Sequence, residues 1–170
     1  MKPLRRLSLA AVASAMVLLA AEPLSQSDRT FAINAAEGGI AEVEMGKLAV
    51  VQGSSQAVRD FGRRMVDDHS KASDQLMSLA ADTSINLPTA LNARDKTEID
   101  RLRGLSGSDF DKAYMRLTLK DHQADLAAFE KEAGSGQNPE LRNFASTTLP
   151  TLKEHLGMAK RTSTTAGITE

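Results

Sequence analysis

The sequence predicts an all-α protein, a four-helix bundle with a long crossover between its second and third long helices. Three observations carry that prediction. Apolar residues recur at three- to four-residue steps in four stretches, each roughly seven turns long. Cap and stop residues bracket these stretches. The connector between the second and third stretches, about two dozen residues, is too long for a tight bundle turn.

The chain of 170 residues opens with Met1-Lys2-Pro3-Leu4-Arg5-Arg6 and the apolar run from Leu7 to Ala21. A basic start, a short apolar stretch and small residues ahead of Glu22 and Pro23 form a signal-peptide pattern over 1–21, with cleavage between 20 and 27. The adjacent Arg5 and Arg6 also allow a twin-arginine signal. Loss of Lys2, Arg5 and Arg6 would change the formal net charge from −1 to −4, and no later segment carries a basic cluster. Nucleic acid is therefore excluded as a partner class. The expected mature chain is periplasmic or secreted, possible outer-membrane association included, with no stable membrane span and with a homo-oligomer allowed. The chain has no cysteine. Disulfides and thiolate metal sites are thus excluded, so a metal would need nitrogen, carboxylate oxygen or methionine sulfur.

The bundle domain is expected over 28–160. In the first helix, Asp28 to Gln52, the stripe reads Ile33, Ala36, Ile40, Val43, Leu48 and Val51, with Gly53 as the stop. Ser54 or Ser55 caps the second, whose seam is Val58, Phe61, Met65, Ala72, Leu76 and Leu79. The connector has an extended stretch around Ile85-Asn86-Leu87-Pro88 and a short helix between Asn92 and Gly104. At ~3.3 Å per extended residue and ~1.5 Å per helical one, it can return along a helix ~40 Å long. The third long helix starts at Ser108, where Asp111 completes a capping box, and carries Met115, Leu119, Leu126 and Phe129. The fourth has Asn138 as cap and Pro139 in its first turn, with a stripe of Leu141, Phe144, Thr148, Leu152 and Ala159. Pro150 predicts a kink within it. No internal repeat is visible residue by residue. The Ser/Thr-rich stretch 162–170 is expected to be a flexible tail.

The chain has three histidines, and His69, His122 and His155 each fall near the middle of a different helical seam. Imidazole is the most common metal-binding side chain and titrates near neutral pH, so their convergence implies a metal centre or a proton-sensitive core. Glu37 and Glu44 share a face with Ile33 and Ile40, which points both carboxylates at the bundle and makes them candidate ligands, while Glu42 falls off that face and is assigned to solvent. Reflection through the turns places Glu37 level with His69 to within ~2 Å, and His155 about one turn away near Glu44 and Met65. Met65 with His69, Met115 with His122 and Met158 with His155 share helix faces and would suit copper(I). Asp68, Asp125 and Tyr114 are candidate supporting groups or additional ligands, with Asp125 three residues past His122. Asp121 and Glu154 also flank histidines.

The segments Phe31-Ala32-Ile33-Asn34-Ala35-Ala36-Glu37-Gly38-Gly39, Glu44-Met45-Gly46-Lys47-Leu48-Ala49, Met65-Val66-Asp67-Asp68-His69, Phe110-Asp111-Lys112-Ala113-Tyr114 and Leu149-Pro150-Thr151-Leu152-Lys153-Glu154-His155-Leu156 carry a resemblance. The chain is similar, over roughly 28–160, to a family of exported bacterial proteins that carries a domain-of-unknown-function label and is grouped with ferritin-like four-helix bundles. The resemblance implies a ferritin-like fold and an envelope location, and no established reaction. Ferritin-like di-iron sites use Glu-x-x-His pairs. Here Val66, Leu119 and Leu152 stand three residues before the histidines, so the di-iron motif is absent.

Two readings remain. The first is a metal-binding bundle with His69, His122 and His155 plus Glu37 or Glu44 as ligands for a divalent ion, zinc or iron first and copper as the alternative, with a role in metal handling or envelope stress. The second is a metal-free interaction module with a packed or pH-responsive histidine core. No catalytic motif appears in the sequence.

Overall fold

The computed structural model describes residues 24–83 and 85–168. The expected signal peptide, 1–21, lies outside them. The described residues form α1 (Gln26–Gln52), α2 (Gln56–Thr83), α3 (Ala93–Arg103), α4 (Gly107–Ser135) and α5 (Pro139–Thr165). Among them no helix is long and apolar enough to cross a membrane.

Two buried aspartates reveal the direction of each helix. Asp28, in the first turn of α1, accepts hydrogen bonds from the backbone N–H groups of Gln137 (3.0 Å) and Asn138 (2.9 Å) in the α4–α5 turn. Asp111, near the start of α4, accepts from Ser54 N, Ser54 Oγ and Ser55 N at 2.9, 2.6 and 2.9 Å in the α1–α2 turn. α1 and α4 are therefore antiparallel. α2 consequently runs parallel to α4, and the connector over 85–106 must cross the length of the bundle. α1 packs on α2 and α4, while α5 packs on α4 and α2, which gives the ferritin-like bundle with its crossover. α3, inside that crossover, buries Ile99 and Leu102 against the bundle.

Asp111 is not the capping-box residue that its spacing suggests. The cap of α4 is Ser106, which makes no side-chain cap bond, and the carboxylate of Asp111 serves the turn of the other hairpin. Asn138 does cap α5, accepting from Glu140 N and Leu141 N. Each hairpin turn is also held by an arginine six residues past a glycine. Arg59 donates to the carbonyls of Gly53 and Ser54, and Arg142 to those of Gly136 and Gln137.

The packing face of α1 differs from the expected one. Ile33, Ile40, Val43 and Leu48 are only half-buried, and Val51 is 81% exposed. The seam against the bundle is Asp28, Ala32, Ala35, Gly39, Glu42, Gly46, Ala49 and Gly53, at alternating four- and three-residue steps. It is built of small residues because α1 and α2 meet nearly backbone to backbone. A methyl group at Gly62 would lie 2.7 Å from Ala49 Cβ and 2.8 Å from the Gly46 carbonyl oxygen. Large apolar residues cannot fit that seam, so a search for Ile and Val selects the wrong face.

The C-terminal stretch is also more ordered than its composition suggests. α5 continues to Thr165, and Gly167, at φ +67°, reverses the chain so that its N–H bonds the Thr164 carbonyl while Ile168 N–H bonds that of Ser163. This is the Schellman arrangement, completed by burial of Ile168 against the core. Of the expected tail, 162–165 is helix, 166–168 is its cap, and 169–170 lie outside the described residues.

Two apolar clusters fill the bundle. One joins Met45, Phe61, Met65, Leu102, Phe110 and Tyr114 near the α1–α2 turn. The other joins Phe31, Leu76, Phe129, Phe144 and Leu152 towards the opposite end. The histidines lie between them.

Candidate metal centre

His69 from α2, His122 from α4 and His155 from α5 converge at mid-bundle. Their ring centroids are 5.5, 5.3 and 5.4 Å apart, and the residues are 7%, 0% and 1% exposed. One nitrogen from each lies within 4.8 Å of the other two.

The remaining long helix, α1, contributes Glu42, not Glu37 or Glu44. Glu42 Oε2 is 2.9 Å from His69 Nδ1 and Oε1 is 3.1 Å from His122 Nδ1. Glu37 instead accepts a hydrogen bond from Asn92 at 2.9 Å, and Glu44 pairs with Lys47 at 2.7 Å, both away from the cluster. Besides the misread face of α1, side-chain lean explains the displaced depth. Cα–Cβ bonds tilt towards a helix N-terminus, so in the antiparallel α1–α2 pair Glu42 leans away from the turn and His69 leans back towards it. Their tips meet although their Cα atoms are not level.

The partners decide which nitrogen of each ring carries the proton. His69 Nδ1 faces the Glu42 carboxylate and must donate to it. His122 Nδ1 is 3.1 Å from the Thr118 carbonyl oxygen and donates to it, which leaves Glu42 Oε1 close by but without a hydrogen bond. His155 Nε2 is 2.9 Å from Asp68 Oδ2 and likewise must donate. Each ring then has its other nitrogen bare: His69 Nε2, His122 Nε2 and His155 Nδ1. His69 Nε2 is buried without any partner. His122 Nε2 and His155 Nδ1 face each other at 3.3 Å, lone pair to lone pair.

Burial and the charge on Glu42 set the electrostatics of the cluster, and they favour neutral rings at His122 and His155. Burial would raise the Glu42 pKa, but the imidazoles of His69, His122 and His155 outweigh it and hold the carboxyl at about 2. Burial also lowers the pKa of His155 to about 4, against the opposing hydrogen bond to Asp68, so its ring is neutral at neutral pH. For His122 burial prevails over Glu42 and lowers the pKa, whereas for His69 the attraction of Glu42 overcomes burial and raises it. Asp68 links the cluster to the surface, where it pairs with Arg64.

The remaining candidates fall into place around this core. Asp125 groups with Glu42 and His122 within 4.8 Å, and burial together with the charge on Glu42 pushes its pKa up to about 8. Burial and Glu42 likewise raise Asp121 to about 6. Met65 packs in the apolar cluster on the turn side, and Tyr114 stacks on Phe110 there at 5.9 Å with its hydroxyl unpartnered. Glu42 is what sequence reasoning missed. Its signal was the alternating four- and three-residue seam of small residues on which it sits.

The family profile described as "Domain of unknown function (DUF4142)" matches residues 13–162. The chain belongs to that family. A solved structure, the crystal structure of a DUF305 fragment from Deinococcus radiodurans, is similar with a TM-score of 0.72 at 12% identity, covering 87% of this chain and 100% of that one. That likeness is one of fold. No curated protein matches the chain.

Proposed function

We propose that this member of the DUF4142 family is an exported helical-bundle protein of the bacterial envelope that binds one divalent transition-metal ion. The ligands are His69 Nε2, His122 Nε2 and His155 Nδ1. Glu42, the Thr118 carbonyl and Asp68 accept the protons on the opposite nitrogens, which fixes ring tautomer and orientation as carboxylate and carbonyl partners do in histidine metal sites.

The observation that carries the reading is the approach of His122 Nε2 to His155 Nδ1 at 3.3 Å, with both other nitrogens engaged by acceptors. Two lone pairs at that distance repel unless a cation lies between them. The spacing is also the edge of a tetrahedron with metal–nitrogen bonds of ~2.05 Å. Three imidazoles without thiolate suit zinc first, with iron and copper as further candidates. Export rests on the sequence pattern of 1–21, and metal handling in the envelope is the role that fits both features.

The test is metal analysis of zinc-loaded protein together with thermal melts of the parent and the three single His→Ala variants. One zinc per chain is expected. At a free zinc concentration 100 times Kd the parent gains about 2.7 kcal/mol, and each variant loses that gain. Absence of stoichiometric metal under any loading, with melts indifferent to zinc, would establish the metal-free packed core instead.

A further inference from the structure

Beside His69, between α1, α2, α4 and α5, lies a cavity of about 30 Å³. Its polar wall is Glu42, His69, Ser73 and Asp125, and its apolar wall includes Leu76 and Phe129. A space of ~10–15 Å³ on this measure holds one water, so this one admits one or two.

Two features distinguish it from a packing defect. Glu42 Oε1 and His69 Nε2, on residues 6% and 7% exposed, have no hydrogen-bond partner, and both residues belong to the wall. A purely apolar void stays dry, whereas unpartnered buried polar atoms call for an occupant that can hydrogen-bond or ligate. Glycine also keeps the wall of α1 open. A Cβ at Gly39 would lie 2.9 Å from Ser73 Oγ, whereas one at Gly38 would come no closer than 4.0 Å to Asp125 Oδ1.

We propose that this cavity is the open coordination position of the three-histidine centre. It takes water or hydroxide and exchanges it for a small oxygen or nitrogen ligand of about two or three heavy atoms, the size the space allows. A three-histidine set leaves a tetrahedral ion one position short, and the cavity supplies room for that position on the side of His69 and Glu42. Glu42 Oε1 is placed to accept a hydrogen bond from a bound water. Exchange swaps one ligand for another with no change in oxidation state. The inference rests on the metal reading above.

Azide is the probe, titrated into copper(II)-loaded protein whose metal content is measured in parallel. A saturable azide-to-copper charge-transfer band is expected, while imidazole, too large for the cavity, produces no change. Ala72→Val narrows the cavity from α2 without altering a ligand. It should keep one copper per chain and bind azide at least ~10-fold more weakly, whereas Ser78→Ala, on the exposed face of α2 and away from the cavity, should bind azide like the parent. If Ala72→Val does not fold, discrimination between azide and imidazole by the parent decides. Copper held one per chain with no response to azide, or with imidazole bound as readily as azide, overturns the open position and leaves the metal reading intact. A chain that takes up no metal overturns both.

Discussion

The contact between α1 and α2 makes two identical chemical changes act in opposite directions. Gly→Ala within a helix adds about 0.8–1.0 kcal/mol of stability through propensity when the methyl group finds space. At Gly157, within the second half of α5, the nearest atom to the new Cβ is the flexible tip of Arg161 at 3.3 Å. Gly157→Ala should therefore stabilise by up to about 1 kcal/mol, raising Tm by about 2–4 °C. At Gly62 the new Cβ would meet Ala49 Cβ at 2.7 Å, the Gly46 carbonyl oxygen at 2.8 Å and Val50 N at 3.3 Å. Ordinary carbon contacts lie at ~3.5–4.0 Å, so the two helix backbones must separate by a large fraction of an ångström. Overpacking of this kind costs about 1–3 kcal/mol, which offsets the propensity gain and leaves a net loss of up to about 2 kcal/mol. Thermal melts and urea titrations of both variants provide the check. The same separation would move Glu42 from His69, so zinc should stabilise Gly62→Ala less than the parent. A Gly62→Ala protein that melts at or above the parent would refute the close-packed seam, whatever Gly157→Ala does.

Four further expectations follow from the site and its frame. Glu42→Gln keeps the size of the side chain but weakens the acceptor for His69 Nδ1–H, so zinc affinity by competition titration should fall about 10–100-fold; an unchanged affinity would remove Glu42 from the centre. Asp111→Ala leaves three donors in the α1–α2 turn without their carboxylate and should lower urea stability by about 2–4 kcal/mol, with a loss below 1 contradicting its structural role. In metal-free protein Asp125, raised to about 8, keeps a proton that the unfolded chain releases near pH 4, so its contribution to stability falls as pH climbs from about 4 to about 8, by at most about 1.4 kcal/mol per pH unit. Asp125→Asn should remove that loss, and a stability difference from the parent that stays flat across the window would count against it. Gly167→Ala, forced into φ +67°, should cost about 1 kcal/mol in the same melts, and a variant indistinguishable from the parent would mean that 166–168 does not cap α5.

Much of the fold was legible because burial and chain reversal leave local signatures. The α2 seam of Val58, Phe61, Met65 and Leu76 is large and apolar, and all four residues are buried. Asn138 followed by Pro139 marked the start of α5, and the length of the connector implied the crossover that the two aspartate ties establish. The three histidines were found for the same reason, since each occupies a position on such a seam. α1 escaped because close backbone approach selects Ala and Gly, which carry little hydrophobic signal, and its conspicuous Ile and Val residues lie at the flanks. Glu42 was assigned to solvent as a direct consequence. Asp111 was misread because a carboxylate three residues past a serine looks like a local cap, and only tertiary structure shows it engaged by a turn more than fifty residues earlier in the chain.

The hairpin ties also bear on how many ions the bundle holds. Asp28, Gly53, Ser55 and Arg59 of the α1–α2 hairpin correspond to Asp111, Gly136, Asn138 and Arg142 of the α4–α5 hairpin, with the same sequence interval in every case. The two hairpin frames are thus pseudo-symmetric at these positions. At the centre the same interval pairs Glu42 with Asp125 but sets Gly39 against His122, His69 against Leu152 and Ala72 against His155. A twofold pair of equal metal sites would need each histidine to have an equivalent ligand across the axis, and Gly39, Leu152 and Ala72 cannot ligate. The acidic pair is symmetric by position but not by charge: Glu42 is held ionised by the imidazoles, and that charge, with burial, keeps Asp125 protonated at neutral pH. One ionised carboxylate beside three imidazoles suits a single divalent ion. A zinc titration that saturates at one equivalent per chain is the outcome this asymmetry requires, and two equivalents bound with equal affinity would contradict it.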